Sequence, residues 1–150
     1  MTPHPLTHTA IPDSVVTLER GLIRLFAKAI GESDPLYLDV DAARAAGHRD
    51  VLAPPTFLFA LGGDRPEIRA ALMESGADMA RVLHGEQEMV YHQNAYAGDV
   101  LRYRTCIADV YEKRGGALVF VVNETAITHE SDDAPVVTMR TTLILPRSAT

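Results

Sequence analysis

The sequence predicts a single α+β domain over residues 1–150, with helices in its first half and an antiparallel sheet in its second. Three observations carry that expectation. Leu22, Ile23, Phe26, Ala27 and Ile30 recur at helical spacing, with Arg24 and Lys28 on the other side. From Arg81 onward the period shortens, and β-rich runs cover 82–92, 100–110, 117–128 and 136–145. Turn signals at Ala97-Gly98-Asp99, Arg114-Gly115-Gly116 and Ser131-Asp132-Asp133 separate those runs. Helices first and a strand meander second is an α+β order.

Taken along the chain, residues 1–12 hold prolines and histidines without periodicity and read as a flexible lead-in. Ser14 to Leu18 is a short strand. The amphipathic helix around Leu22 to Ile30 ends at Gly31, a common residue just past a helix. Asp34-Pro35 is a turn or helix start, because Asp caps and Pro fits a first turn. Residues 41–46 form a short helix closed by Gly47. Ala53-Pro54-Pro55-Thr56 opens an apolar helix from Phe57 to Leu61, stopped by Gly62-Gly63. A more polar helical run follows around Ile68 to Met73, with a turn at Ser75-Gly76. In the sheet, Leu101, Tyr103, Thr105 and Ile107 share one face, and Leu118, Phe120 and Val122 share another. One sheet face needs covering, and the apolar helix beginning at Pro55 is its expected cover.

Composition narrows the functional classes. A chain of 150 residues with 47% hydrophobic residues supports a real core. Its net charge of −6 argues against a nucleic-acid or anionic-membrane surface. The single cysteine, Cys106, rules out an internal disulfide and any cysteine metal cluster. Cys106 has the parity of Arg102 and Arg104 and is expected to be an inert packed thiol. No apolar run approaches the ~20 residues of a membrane span. The N-terminal residues lack the basic-then-apolar pattern of a signal peptide, so a cytoplasmic location is the expectation. His84, Glu86 and His92 share a strand face, but eight residues of strand separate the histidines by roughly 26 Å, so no metal site is expected. Gly85 in that strand signals a bulge or a close backbone approach. Arg102, Arg104 and Arg140 are expected at a solvated sheet edge, with the phosphates of a ligand as the alternative partner.

Phe26-Ala27-Lys28-Ala29-Ile30-Gly31, Asp34-Pro35-Leu36-Tyr37, Ala53-Pro54-Pro55-Thr56-Phe57, Leu83-His84-Gly85-Glu86-Gln87 and Ala97-Gly98-Asp99-Val100 together resemble the MaoC-like branch of the hotdog fold. The closest likeness is to its N-terminal-type, FAS1-like dehydratase domain. The resemblance implies a curved antiparallel sheet wrapped around a central helix, working as a dimer. It also implies reversible hydration of 2-enoyl thioesters carried on coenzyme A or acyl carrier protein, with no further cofactor. Such chemistry needs a base, an acid and a donor for the thioester oxygen.

Catalytic members carry Asp-x-Asn-Pro-x-His and then Ala-His-Gly at the start of the central helix. Aligned on Asp34-Pro35, this chain has Glu32 in place of the Asp and Tyr37 in place of the His. Ala53-Pro54-Pro55 replaces Ala-His-Gly, and Pro55 has no N–H to offer an oxyanion. Glu32 and Tyr37 are therefore the degenerate catalytic candidates. Pro55, Thr56, Phe57, His84 and Gly85 are the substrate-binding candidates. The resemblance implies a substrate-holding half of an enoyl-thioester hydratase, paired with a catalytic MaoC-like subunit. The alternatives are a self-sufficient homodimer using Glu32 and Tyr37, an acyl-CoA thioesterase, for which Asp64 would be the nearest carboxylate, and an acyl-CoA-binding protein.

Overall fold

The computed structural model describes residues 4–62 and 65–147. Five strands form one antiparallel sheet: β1 (Ser14–Thr17), β2 (Leu83–Tyr91), β3 (Val100–Lys113), β4 (Leu118–His129) and β5 (Pro135–Pro146). Their order is β1-β3-β4-β5-β2, so β1 and β2 are the edges. The meander β3-β4-β5 follows from its turns. Arg114, Gly115 and Gly116 take φ of 53°, 64° and 91°, and Asp133 takes 57° in the next turn. Such left-handed backbone is what Gly, Asn and Asp adopt at least cost.

Among the described residues four α-helices accompany the sheet: α1 (Arg20–Ala29), α2 (Val40–Ala45), α3 (Phe57–Gly62) and α4 (Pro66–Glu74). α1 stops before Gly31, whose φ is +75°. It buries Ile23 and Ala27, whereas Leu22, Leu25 and Ile30 stay exposed in the single chain, so its buried stripe is narrower than the sequence spacing suggests. α2 is capped by Asp39, whose carboxylate accepts from the Asp41 and Ala42 amides.

α3 and α4 lie against the buried face of the sheet, and that face has three zones. At one end Phe57 and Leu58 of α3 pack with Leu101, Tyr103, Ile127 and Val137. At the other end Ile68 and Leu72 of α4 pack with Ile107, Val119, Val121 and Leu145. Between them the strands carry Thr105, Asn123, Thr125 and Thr141, joined by the registers Thr105↔Thr125 and Asn123↔Thr141. A polar band therefore separates two apolar clusters at the level where α3 gives way to α4. Tyr103 borders that band. It is fully buried, and its hydroxyl donates to the Leu58 carbonyl at 3.1 Å.

Two expectations need correction. Of the proposed flexible lead-in, residues 1–3 lie outside the described residues, but Pro5–His8 form a 3₁₀ turn whose Leu6 is buried in the α4 cluster. One apolar side chain is enough to fasten the segment, and a periodicity search does not register a lone leucine. Cys106 is exposed rather than packed, because its register opposite Glu124 puts it on the outer face with Arg104.

Candidate functional site

Of the motif residues, Tyr37 and Ala53 to Pro55 meet at the start of α3, where Phe57 packs on Phe26. Gly31 turns the chain out of α1, and the Glu32 carboxylate folds back to accept from the Ser33 and Asp34 amides, each at 2.8 Å. The Asp34 carboxylate accepts from the Leu36 amide at 2.9 Å, capping the 3₁₀ turn Pro35–Tyr37. Both carboxylates are thus occupied by backbone N–H groups that would otherwise be orphaned. Tyr37 points into a recess of about 140 Å³ that is also lined by Pro54, Pro55, Leu58, Tyr91 and Asn94. Its lining holds no carboxylate and no imidazole.

The electrostatics push Tyr37 away from base chemistry. Burial raises its pKa first, and the negative charges of Glu32 and Asp34 raise it further. The phenol stays protonated at neutral pH and offers a hydrogen bond, not a proton acceptor. Pro55 lacks an N–H, and its carbonyl accepts from the Tyr91 hydroxyl. The recess is held by ties between distant segments. Leu52 N–H donates to the Leu36 carbonyl at 3.1 Å, and Ala53 N–H to the Ala95 carbonyl at 2.8 Å. Arg20 grips Asp50 at 2.6 Å, and the Asp50 carboxylate also accepts from the Val51 amide.

The five substrate-binding candidates do not form one site. Pro55 lines the recess, and Thr56 is exposed beside it. Phe57 is a core residue, 3% exposed, with its ring 5.2 Å from that of Phe26. Its position in the motif fixes α3 to the sheet and gives it no access to a ligand. His84 lies on the far side of α3, its ring 5.5 Å from Phe59. Gly85 sits at a register shift between His84 and Glu86. A Cβ there would meet Ile144 Cδ1 at 2.7 Å and the Thr142 carbonyl oxygen at 3.3 Å. Gly85 therefore shapes β2 where it crosses β5. Arg102, Arg104 and Arg140 are engaged with Glu130, Asp133 and Glu124 at 2.5, 2.8 and 2.8 Å. Gly63 and Asp64 lie outside the described residues.

His84 and Phe59 border a second, larger cavity of about 260 Å³. Its roof is the last residue of α3, Gly62, and α4 with Ile68 and Leu72, and its floor is the polar band of the sheet. Gly62 allows the close approach, since a Cβ there would sit 3.4 Å from the Tyr103 ring. Thr105 and Thr125 hydroxyls bond each other at 2.9 Å, and the Thr141 hydroxyl donates to Gln87 Oε1 at 2.7 Å. Arg65, between the two helices, donates to Ser14 Oγ at 2.8 Å. Tyr91, Arg65 and Asn123 are the residues that sequence reasoning missed. For Asn123 the facing follows only from the register of β3, β4 and β5.

The chain can be set beside known proteins. Residues 7–139 match the family described as "FAS1-like, dehydratase domain region". A UPF0336 protein of Streptomyces griseus is 35% identical over 133 residues, which are 89% of this chain and 87% of that protein. Another, from Clavibacter michiganensis, is 39% identical over 126 residues, 84% of this chain and 83% of the other. Among solved structures, the C-terminally truncated HadBC (3R-hydroxyacyl-ACP dehydratase) complex of Mycobacterium tuberculosis superposes with a TM-score of 0.73 at 24% identity. That match covers 93% of this chain and 98% of that one. The ChsH1-ChsH2 complex of the same organism gives 0.72 at 23%, covering 92% and 89%. The R-hydratase PhaJ1 of Pseudomonas aeruginosa gives 0.67 at 15%, covering 93% and 82%. These likenesses establish the fold as an α+β hotdog; where the motifs implied one central helix, the described residues place two, α3 and α4, against the sheet. With the family match spanning most of its length, the chain belongs to the FAS1-like dehydratase-domain-region family.

Proposed function

We propose that this chain is the substrate-holding half of an enoyl-thioester hydratase, or 3-hydroxyacyl-thioester dehydratase, and works with a catalytic MaoC-like partner. The thioester is carried on coenzyme A or acyl carrier protein. One observation carries the reading: the recess where the family's motifs converge is lined by Tyr37 and Pro55, without a carboxylate, an imidazole or a Pro55 amide. Water activation needs a base near neutral pH, and a phenol with a raised pKa is a poor one. Glu32 remains a carboxylate, but its Oε1 already accepts two backbone bonds.

The edge strand β2 supports a partner. It leaves Leu83, Val90 and Tyr91 exposed, together with unpaired edge backbone that another strand can meet. Two of the similar folds, HadBC and ChsH1-ChsH2, are complexes. Among the described residues no helix is long and apolar enough to cross a membrane.

The test is hydration of crotonyl-CoA by the purified chain, alone and mixed with a MaoC-like subunit bearing an intact Asp/His pair. The expected result is no turnover alone, and turnover in the mixture above that of the partner by itself. Turnover by the lone chain that disappears in Glu32→Gln would replace this reading with a self-sufficient enzyme.

A further inference from the structure

The cavity between the end of α3, α4 and the sheet does not suit a plain hydrocarbon. Its walls include Ile68, Leu72 and Leu143, as an acyl chain would want. Its floor is different. Asn123 is 7% exposed, and its Oδ1 is fully shielded without a hydrogen-bond partner. Arg65 Nη2 is also shielded and unpartnered, although Nη1 of the same guanidinium bonds Ser14. Buried polar groups left unmatched cost stability, so such groups are expected to be satisfied by something that enters. Of these two, one lacks a donor and the other lacks an acceptor. The neighbouring threonines are, in contrast, paired within the protein.

From these groups we infer that the acyl group held by this chain carries an oxygen function remote from its thioester, a hydroxyl above all. A hydroxyl both accepts and donates, so it can meet either Arg65 Nη2 or Asn123 Oδ1. The space fits: about 260 Å³ corresponds to roughly eight or nine water-sized groups. Gly62 at the cavity comes seven positions after Pro55 at the recess, and the helical part of that stretch, Phe57–Gly62, rises roughly 8 Å. In the cavity itself Asn123 lies beside Ile68, Leu72 and Leu143, where the far end of an acyl chain would rest. This inference depends on the proposed thioester-holding role and narrows its substrate class to oxygenated acyl groups.

The experiment is calorimetric titration of the chain with acyl-CoAs of six, eight and ten carbons, each as the plain and the ω-hydroxylated form. At the best-fitting length the hydroxylated form is expected to bind about tenfold tighter, the worth of one matched hydrogen bond. Asn123→Leu and Arg65→Met combined are expected to erase that preference while retaining the plain form, and one of the two alone, whichever removes the hydroxyl's partner, is expected to do the same. Leu is close to Asn in size, and Arg65 is partly exposed, so a melting curve for each variant serves as the folding control. Equal or tighter binding of the plain forms by the unmodified chain would overturn the inference and leave the thioester-holding role intact. Absence of binding by every form, with the catalytic partner present as well as without it, would overturn both.

Discussion

The two hollows beside α3 differ in what their walls carry. The recess at its N-terminal end is where the family's reactive groups belong, and it presents Tyr37, Pro55 and Tyr91. The cavity at its C-terminal end is where a core would ordinarily be sealed with leucine and valine. It presents Arg65, Asn123 and three threonines instead. The place expected to react has no carboxylate or imidazole in its lining, and polar groups stand in a place expected to be oily. A protein that only needed to fold would fill the second site and would have no reason to keep the first one open. That contrast is what the proposed substrate-holding role requires of the two hollows.

The largest expected effect concerns Tyr103, which stands between the two regions. It is fully buried and bonds the Leu58 carbonyl. Tyr103→Ala is expected to destabilise by about 3–5 kcal/mol, the range for deleting a buried aromatic. Tyr103→Phe is expected to cost about 1 kcal/mol, because it removes the hydroxyl and leaves the ring. Denaturant melts of both variants check this. If the two were equally mild, Tyr103 would not be what couples α3 to the sheet.

The next effect separates the hollows by sign. Asn123→Leu is expected to stabilise the free chain by about 1 kcal/mol, by removing a buried oxygen that lacks a partner. Pro55→Ala at the recess is expected to change stability little, because the Pro55 carbonyl that Tyr91 bonds is backbone and survives the substitution. A loss of stability in Asn123→Leu would mean that the amide already serves the fold.

A smaller effect tests Glu32. If its task is to cap the turn after α1, Glu32→Gln retains an acceptor oxygen, and the rate of the partner-completed enzyme should stay within about twofold. Glu32→Ala should lower the melting temperature, since two backbone amides lose their acceptor.

The smallest effect is a pH dependence. Arg20 beside Asp50 lowers the Asp50 pKa, chiefly through their hydrogen bond. A depressed carboxylate contributes stability that is complete above its unfolded pKa of about 4 and is lost as pH falls through the folded value. Arg20→Met should therefore be less stable than the unmodified chain at neutral pH, and the gap should narrow in acid. Parallel stability curves down to low pH would show that the pair contributes nothing.

Most of the fold was legible from local rules. Gly31 and Gly47 close helices in left-handed conformations, Asp34 caps a turn, and Gly115-Gly116 makes a hairpin. These signals act within a few residues, so one sequence suffices to see them. The departures at Tyr37 and Pro55 were legible too, because they are differences in residue type. What was not legible depends on register. Whether His84 faces the recess or the cavity depends on the bulge beside it and on the pairing of β2 with the last strand. Phe57 sits inside the motif yet belongs to the core, because helix phase turns it toward the sheet. Asn123 and Thr125 looked like ordinary strand residues until β3, β4 and β5 aligned them into one band under the break between two helices.

Binding and turnover measured on one sample of the isolated chain test the central claim most directly. Medium-chain 2-enoyl-CoA is followed by equilibrium dialysis and, in parallel, by loss of the enoyl absorbance. Saturable binding with an unchanged absorbance is the predicted result. Loss of absorbance at a rate proportional to the concentration of this chain, and abolished by Glu32→Gln, would contradict it.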